Sequence, residues 1–528
     1  MFSDARGVED GAIIQGDICI VGAGAAGITT ALGLLNGRRR IVLLESGDLD
    51  YEGETQALYQ GANLGLPYYD LDVCRLRYFG GTTNHWEGRC RPLDPIDFEA
   101  RPWVPHSGWP ITKATLDPFY ARAHEICQLG PYRYDPADWL QPGESALPFD
   151  PAKITTRLWQ FSPPTRFGEA YRQTLATAPN VQVLLNADVV DIATNEAGSE
   201  VAQLQVATLS GRRFSVRAPT FVLACGGLEN ARLLLAARQR VNVGLGNQHD
   251  NVGRYFMEHP HVPAAKVVVD DPKRVQFYDP DIPAAWRAGH KIVGCLNVHR
   301  EVQAKAELLN CDCNFVVDNI GTSGYAALRR IWNAAERGAM PDNLWADLGR
   351  ALADIDDTAA GLLGRFGVRE YLPDETRFYM WSTAEQCPDP DSRVVLGDER
   401  DALGVPRIKL DWRLNELDKR SLRTVQLKIA EEFGRTGSGR LKINQWLDDD
   451  PGVWDMMGGA HHMGTTRMSA TPEHGVVDQD CRVHGIANLH IAGSSVFPTG
   501  GSANPTLTIV ALALRLADHL EDRAIAQS

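Results

Sequence analysis

The chain has no excess of positive charge: 53 lysines and arginines face 67 aspartates and glutamates, a net charge of −14. Nucleic acid and anionic membrane surfaces are therefore not expected as partners, and cationic substrates are mildly favoured over anionic ones. No apolar run is long enough to cross a bilayer. The opening M-F-S-D-A-R-G-V-E-D lacks the basic start and apolar core of a secretory signal. Cysteine is sparse, ten residues with no C-x-x-C pair, and the only close pair, Cys311 and Cys313, alternates like one face of a strand. Reduced, buried thiols in a cytoplasmic protein are the simplest account, and no metal site is expected. Internal repeats and low-complexity tracts are absent.

What is present begins with size. A chain of 528 residues, 44% apolar and 23% charged, exceeds what one core requires, so two domains or one large elaborated one are predicted. Near the start, Asp17–Val21 reads as a short apolar strand followed by Gly22-Ala-Gly24-Ala-Ala-Gly27, a helix-compatible segment to Leu35, and a second strand from Arg40 to Leu44 ending on Glu45. Strand, G-x-G-x-x-G, helix, strand and acid in this order form the dinucleotide fingerprint. Gly22 permits the tight turn, Gly24 lets backbone approach a pyrophosphate, Gly27 lets helix pack on strand, and Glu45 is placed to hold a ribose diol. The stretch Thr220–Leu235 repeats the strand, glycine turn, helix order around Gly226 and Gly227.

The fingerprint serves FAD and NAD alike. The stretch Tyr78-Phe-Gly80-Gly81-Thr-Thr-Asn84-His85-Trp86-Glu87 separates them, because paired glycines, a polar run and an aromatic suit backbone laid against a flat ring system. Here the chain resembles the glucose-methanol-choline (GMC) oxidoreductases, flavoenzymes that oxidise alcohols, and within them the pyranose-oxidase-like and bacterial sugar-dehydrogenase branch. The matching segments are Gly80–Trp86, Asn251–Pro260, His461–Met468 and Ala503–Thr508. The resemblance implies a fold of α/β plus α+β class, with a Rossmann-type FAD-binding domain of the p-hydroxybenzoate-hydroxylase-like kind and an antiparallel-sheet substrate domain. The expected division is 1–258 and 451–528 for the FAD-binding domain and 259–450 for the substrate domain. Candidate strands of the latter lie at Ala264–Val269, Lys291–Val298, Cys311–Val317, Thr376–Glu385, Arg393–Leu396 and Arg407–Trp412, with helical segments at Ala326–Arg365 and Asn415–Phe433.

The same resemblance assigns the site. His461, three residues before the glycine of H-x-x-G-T, is the expected base. It would take the hydroxyl proton while the C–H hydrogen passes to flavin N5; a neutral imidazole suits that role near pH 7. Asn504 would orient the hydroxyl. Pro505 is placed to open an apolar helix through Leu514, aiming unpaired N–H groups and the positive dipole end at the flavin, with Thr506 beside it. Gly493, Ser494, Gly500 and Gly501 are expected near the ribityl chain and ring. Gly80, Gly81, Asn84, His85 and Trp86 are expected beneath it. FAD is expected to be held without a covalent bond; His85 is where such a bond would form, but Glu87 stands where the covalent relatives have threonine. His462 and Gln386 are substrate-contact candidates, with Tyr379 and Trp381 as further wall candidates. The expected reaction is oxidation of a CH–OH group of a sugar, glycoside or amino sugar, with oxygen or another acceptor taking the electrons. A non-sugar aryl or aliphatic alcohol is the alternative, and a flavin-binding protein without turnover a third reading, opposed by the presence of His461 and Asn504.

Overall fold

The computed structural model describes residues 1–527 except 36, 143, 281–284, 318–323, 337–339, 341–342, 366–376 and 449–453. Thr376, the expected start of one strand, and the expected boundary at 450–451 lie outside the described residues.

The site is organised by a six-stranded parallel sheet in the order Phe2–Asp4, Val181–Leu185, Ile41–Leu44, Ile18–Val21, Thr220–Leu223, Leu489–Ile491. Ile18–Val21 and Ile41–Leu44 are buried at every position, the unbroken apolar pattern of strands covered on both faces. Between them runs the helix Ala25–Gly33. A β-carbon on Gly27 would lie 1.8 Å from the carbonyl oxygen of Gly22, so this close crossing of helix and strand admits only glycine. A four-stranded sheet flanks this unit, in the order Ile13–Gln15, Arg213–Arg217, Val201–Ala207, Asp188–Thr194. The helix Thr506–Gln527 packs against Ala25–Gly33 and against Lys113–Ile126.

Facing this unit is the expected sheet of mainly antiparallel pairing, ordered Gly439–Ile443, Pro260–Val269, Arg377–Ala384, Cys311–Val317, His290–Val298, Ile154–Phe161, Arg89–Cys90 along its main path. The helix Glu416–Thr436 covers one face. Its buried Leu422, Val425, Ile429 and Phe433 recur at helical spacing and join Val267, Phe315 and Phe378 in one core.

The structure corrects two sequence expectations. Arg393–Arg400 and Pro406–Asp411 do not join the large sheet. They pair with each other and with Ala62–Asn63, burying Val394, Ile408 and Leu410 against Leu228 and Phe256. Conversely, Ile154–Phe161 and Arg89–Cys90 lie within 1–258 yet pair into the large sheet, the former along the whole of Lys291–Val298. Alternating apolar residues announce a strand but not which sheet it joins. The segment Ala326–Arg365 divides into helices Gly324–Glu336, Leu344–Ala353 and Ile355–Arg365.

Candidate active site

A cavity of about 890 Å³ opens at the carboxyl ends of the parallel strands, where open α/β sheets bind their ligands. Three helices begin on its wall, at Ala25, Gly226 and Thr506, so three sets of free N–H groups and three positive dipole ends face one space. Pro505 precedes the last of these as its cap, its carbonyl accepting from Ile509 N at 2.8 Å, so the helix starts one residue later than expected. A β-carbon built on Gly24 or Gly226 meets nothing within 4 Å, so both glycines leave the cavity open for a bulky group to approach main chain.

At the end fed by Leu44, the Glu45 carboxylate accepts from Ala23 N at 2.8 Å and from Gly47 N at 2.9 Å. Burial raises its pKa, and the two N–H groups oppose that rise. Around it stand charged groups not foreseen from the sequence. Arg77 donates to Ser46 at 2.5 Å and to Asp188 at 3.0 Å, and Glu229 pairs with Arg75 and Arg232 at 3.0 and 3.1 Å. This set of buried, mutually satisfied charges and the glycine-lined main chain fit a dinucleotide: diol, pyrophosphate and ring each have a complementary wall.

The loop at 78–86 divides by role. Gly81, His85 and Trp86 line the cavity. Gly80 and Asn84 do not, correcting the expectation for both. Gly80 N donates to Ala23 O, and the Asn84 amide donates to Phe79 O at 3.0 Å; a β-carbon on Gly80 would strike Gly168 N. Asn84 is spent on the loop's own turn, and Gly80 ties the loop to the first glycine turn at Ala23. Gly22, Gly24, Gly493, Ser494, Asn504, Pro505 and Thr506 all lie on the wall.

At the other end, Nε2 of His461 lies 3.2 Å from Nδ2 of Asn504, bridging 43 residues of sequence. Nδ1 of the same ring lies 3.0 Å from Nδ1 of His259, and the rings of His259 and His261 stand 5.0 and 5.7 Å from it between centroids. Sequence analysis gave neither histidine a role: Asn251–Pro260 entered only as a segment matching the family, and His261 lies just beyond it. What aligns them is the pairing of Met257 with Met463, whose backbones exchange hydrogen bonds of 3.0 Å in both directions. Burial drives the His461 pKa well below the ordinary imidazole value, with the rings of His259, His261 and His462 adding to it. Burial also lowers His259 to about 4, and His261 and His462 to about 3. The cluster is neutral at pH 7. Among the described residues, no group of three or more His, Cys, Asp or Glu could hold a metal ion.

His462 lines the cavity, but its Nε2 is engaged 2.9 Å from the Tyr68 hydroxyl. Tyr68 in turn donates to Glu258 at 2.5 Å. Gln386 is not at the substrate wall. It is fully buried, accepts from Glu258 N and Trp412 Nε1 at 2.8 and 3.0 Å, and donates to Arg413 O at 2.9 Å. A carboxamide so satisfied ties segments together and has nothing left for a ligand. Trp381 lines the cavity, whereas Tyr379 lies off it, beneath the Lys266 ammonium.

A family model described as FAD dependent oxidoreductase matches residues 17–281, and one described as GMC oxidoreductase matches 388–513. The chain is 23% identical to a 2-methyl-1,2-propanediol dehydrogenase of Mycolicibacterium austroafricanum, over 96% of each chain. It is 24% identical to a 6'''-hydroxyparomomycin C oxidase of Streptomyces lividus, over 96% of this chain and 92% of that one. A fructose dehydrogenase large subunit of Gluconobacter japonicus is 25% identical over 58% of this chain and 47% of its own length. A crystal structure of formate oxidase superimposes with a TM-score of 0.56 over 99% of this chain and 100% of that one, at 17% identity.

Proposed function

From the premise that the chain belongs to the FAD-dependent oxidoreductases and carries a GMC oxidoreductase domain over 388–513, we propose that it oxidises a CH–OH group of a sugar, glycoside or amino sugar to the carbonyl. The observation that carries this reading is the 3.2 Å approach of His461 Nε2 to the Asn504 amide on the cavity wall. FAD, when bound, supplies the hydride acceptor. The residues of the chain do the rest. Asn504 presents its amide to the substrate oxygen, and the bare Nε2 of His461 takes the hydroxyl proton as the C–H hydrogen departs. The helix start at Thr506 faces negative charge that develops there. Gly24, Gly226 and Glu45 would hold the dinucleotide part, and Gly81, His85 and Trp86 would hold the ring. FAD is bound without a covalent link, so denaturation releases it; flavin that stays with the unfolded chain would place the bond at His85.

Support for a hydroxyl-rich substrate comes from polar atoms on the wall. Nε2 of His261 is buried without a hydrogen-bond partner, and on the same wall the Arg89 guanidinium has only the Glu87 carboxylate as an ionic partner among the described residues, Nε at 3.4 Å. Such atoms are satisfied by a ligand that carries several oxygens. The resemblance to a hydroxyparomomycin C oxidase supports the amino-sugar version. A second reading, a small non-sugar alcohol, draws on the apolar wall residues Val316, Trp381 and Met457 and on the propanediol dehydrogenase relative. Anaerobic titration with sugars, glycosides, amino sugars, diols and aryl alcohols separates the two. Sugars or glycosides are expected to bleach the flavin with the highest kcat/KM, and a diol or aryl alcohol outperforming all of them would reject the first reading.

The pH dependence has a definite sign. A base must be unprotonated to act, and the pKa of His461 is lowered, so its acid limb falls below the ordinary value of about 6.5. Glu258, pushed up to about 7 by burial, titrates in the neutral range and lies against the cluster through Tyr68 and Gly459 N. Any inflection of flavin reduction near neutrality is therefore expected to vanish in Glu258→Gln, leaving only the more acidic limb. A limb at or above about 6.5 that survives in Glu258→Gln would show that His461 is not the titrating base.

A further inference from the structure

We propose that His259 is a positioning residue: its Nδ1 accepts the Nδ1–H of His461 and so keeps Nε2 of His461 bare. The inference rests on the reading of His461 as the base and adds what decides the ring's proton placement.

A neutral imidazole has one N–H and one bare nitrogen, so two facing ring nitrogens bond only when one of them carries the proton. Nδ1 of His461 and Nδ1 of His259 face each other at 3.0 Å, with the ring planes 78° apart. On the far side of His461, Nε2 faces the Asn504 amide nitrogen at 3.2 Å. That nitrogen can only donate, which requires a bare Nε2 on His461 and places the His461 proton on Nδ1. Nδ1 of His259 must then be bare, and its proton lies on Nε2. This last nitrogen lies beside the main chain at Gly500, buried and without a hydrogen-bond partner, so the two hydrogen bonds of His461 alone set the proton placement. The opposite assignment sets an N–H of His461 against the amide N–H of Asn504.

The local sequence makes the relay rigid. His259 is fully buried, so its ring is held away from bulk solvent. Its backbone N–H donates to the Glu258 carboxylate at 3.0 Å, and the same oxygen accepts from Gly459 N at 2.8 Å. Glu258 thus ties the segment bearing His259 to the segment bearing His461. Pro260 then begins the strand Pro260–Val269.

Histidine-selective ¹⁵N spectra of the FAD-loaded enzyme test this directly, His461 being assigned by the signals lost in His461→Gln. Nε2 of His461 is expected to be pyridine-like and Nδ1 pyrrole-like; the reverse pattern overturns the proposal whether or not any His259 variant folds. Two variants supply the kinetic arm. Asparagine can offer its carboxamide oxygen where Nδ1 of His259 stood, and leucine offers no acceptor. With substrate affinity held within about threefold, the limiting rate of flavin reduction is expected to fall on the order of 10²-fold in His259→Leu and to return within about tenfold of the parent in His259→Asn. A wild-type rate in His259→Leu, or equal loss in both variants, overturns it. His461→Ala with undiminished reduction would instead remove the base assignment itself, so the two failures are distinguishable.

Discussion

His461→Ala is expected to bind flavin with an unchanged visible spectrum and to reduce it with substrate more slowly by on the order of 10²-fold or more. Binding survives because the groups that fit the dinucleotide, from Gly24 and Glu45 to Arg77 and Gly226, belong to other elements and none of them bonds to this ring. Chemistry fails because alanine leaves the Asn504 amide facing space and nothing to accept the hydroxyl proton. Stopped-flow reduction under anaerobic conditions, beside the spectrum of the resting enzyme, separates the two. His462→Ala is the control. Its ring bonds to Tyr68 and packs near Phe256 at 5.9 Å between centroids, so its loss disturbs a buried cluster rather than the proton acceptor. Should the larger rate loss follow His462→Ala and spare His461→Ala, the assignment of the base would be wrong.

The parts of this site that could be read from sequence are those whose physics is local. The crossover at 18–45 is legible because glycine at 27 is a steric requirement of one strand, one turn and one helix. The helix at Thr506 is legible because a proline followed by an apolar run marks a helix start. The His461 and Asn504 pair, by contrast, came from resemblance. His259 and His261 precede or begin a strand whose own pattern says nothing of a site, and only the register of Met257 on Met463 sets them against His461. Gln386 failed in the opposite direction. A polar residue just beyond an aromatic strand looks like a wall group, yet its amide is consumed by Glu258, Trp412 and Arg413. The charged end of the cavity draws Arg77, Asp188 and the Glu229–Arg232 pair of one helix from three separate stretches, and no spacing rule connects the three.

Glu385→Ala is expected to cost roughly 3–5 kcal/mol of stability, the penalty for stripping one partner from a buried ion pair. Arg101 and Glu385 have side-chain exposures of 1% and 0% and meet through two hydrogen bonds of 2.8 and 2.5 Å. Alanine would leave a guanidinium in the interior whose Nε already lacks a partner. The same carboxylate accepts from Asn310 N at 2.9 Å, and the Asn310 amide donates to Asp97 at 2.9 Å. The carbonyl of Asp97 accepts from Thr499 at 2.6 Å, at the start of the turn that carries Gly500 and Gly501 to Asn504. The loss is therefore predicted to loosen the loop that presents Asn504, so that flavin reduction slows as well as the denaturation midpoint falling. Removing both charges is the discriminating case. Arg101→Met combined with Glu385→Leu leaves no unpaired ion and is expected to be less destabilised than Glu385→Ala alone, because well-packed apolar residues replace buried ion pairs at little net cost. A single variant within about 1 kcal/mol of the parent, or a double variant worse than the single, would mean that water or another group neutralises Arg101, and the pair would lose its place as the brace behind the catalytic turn.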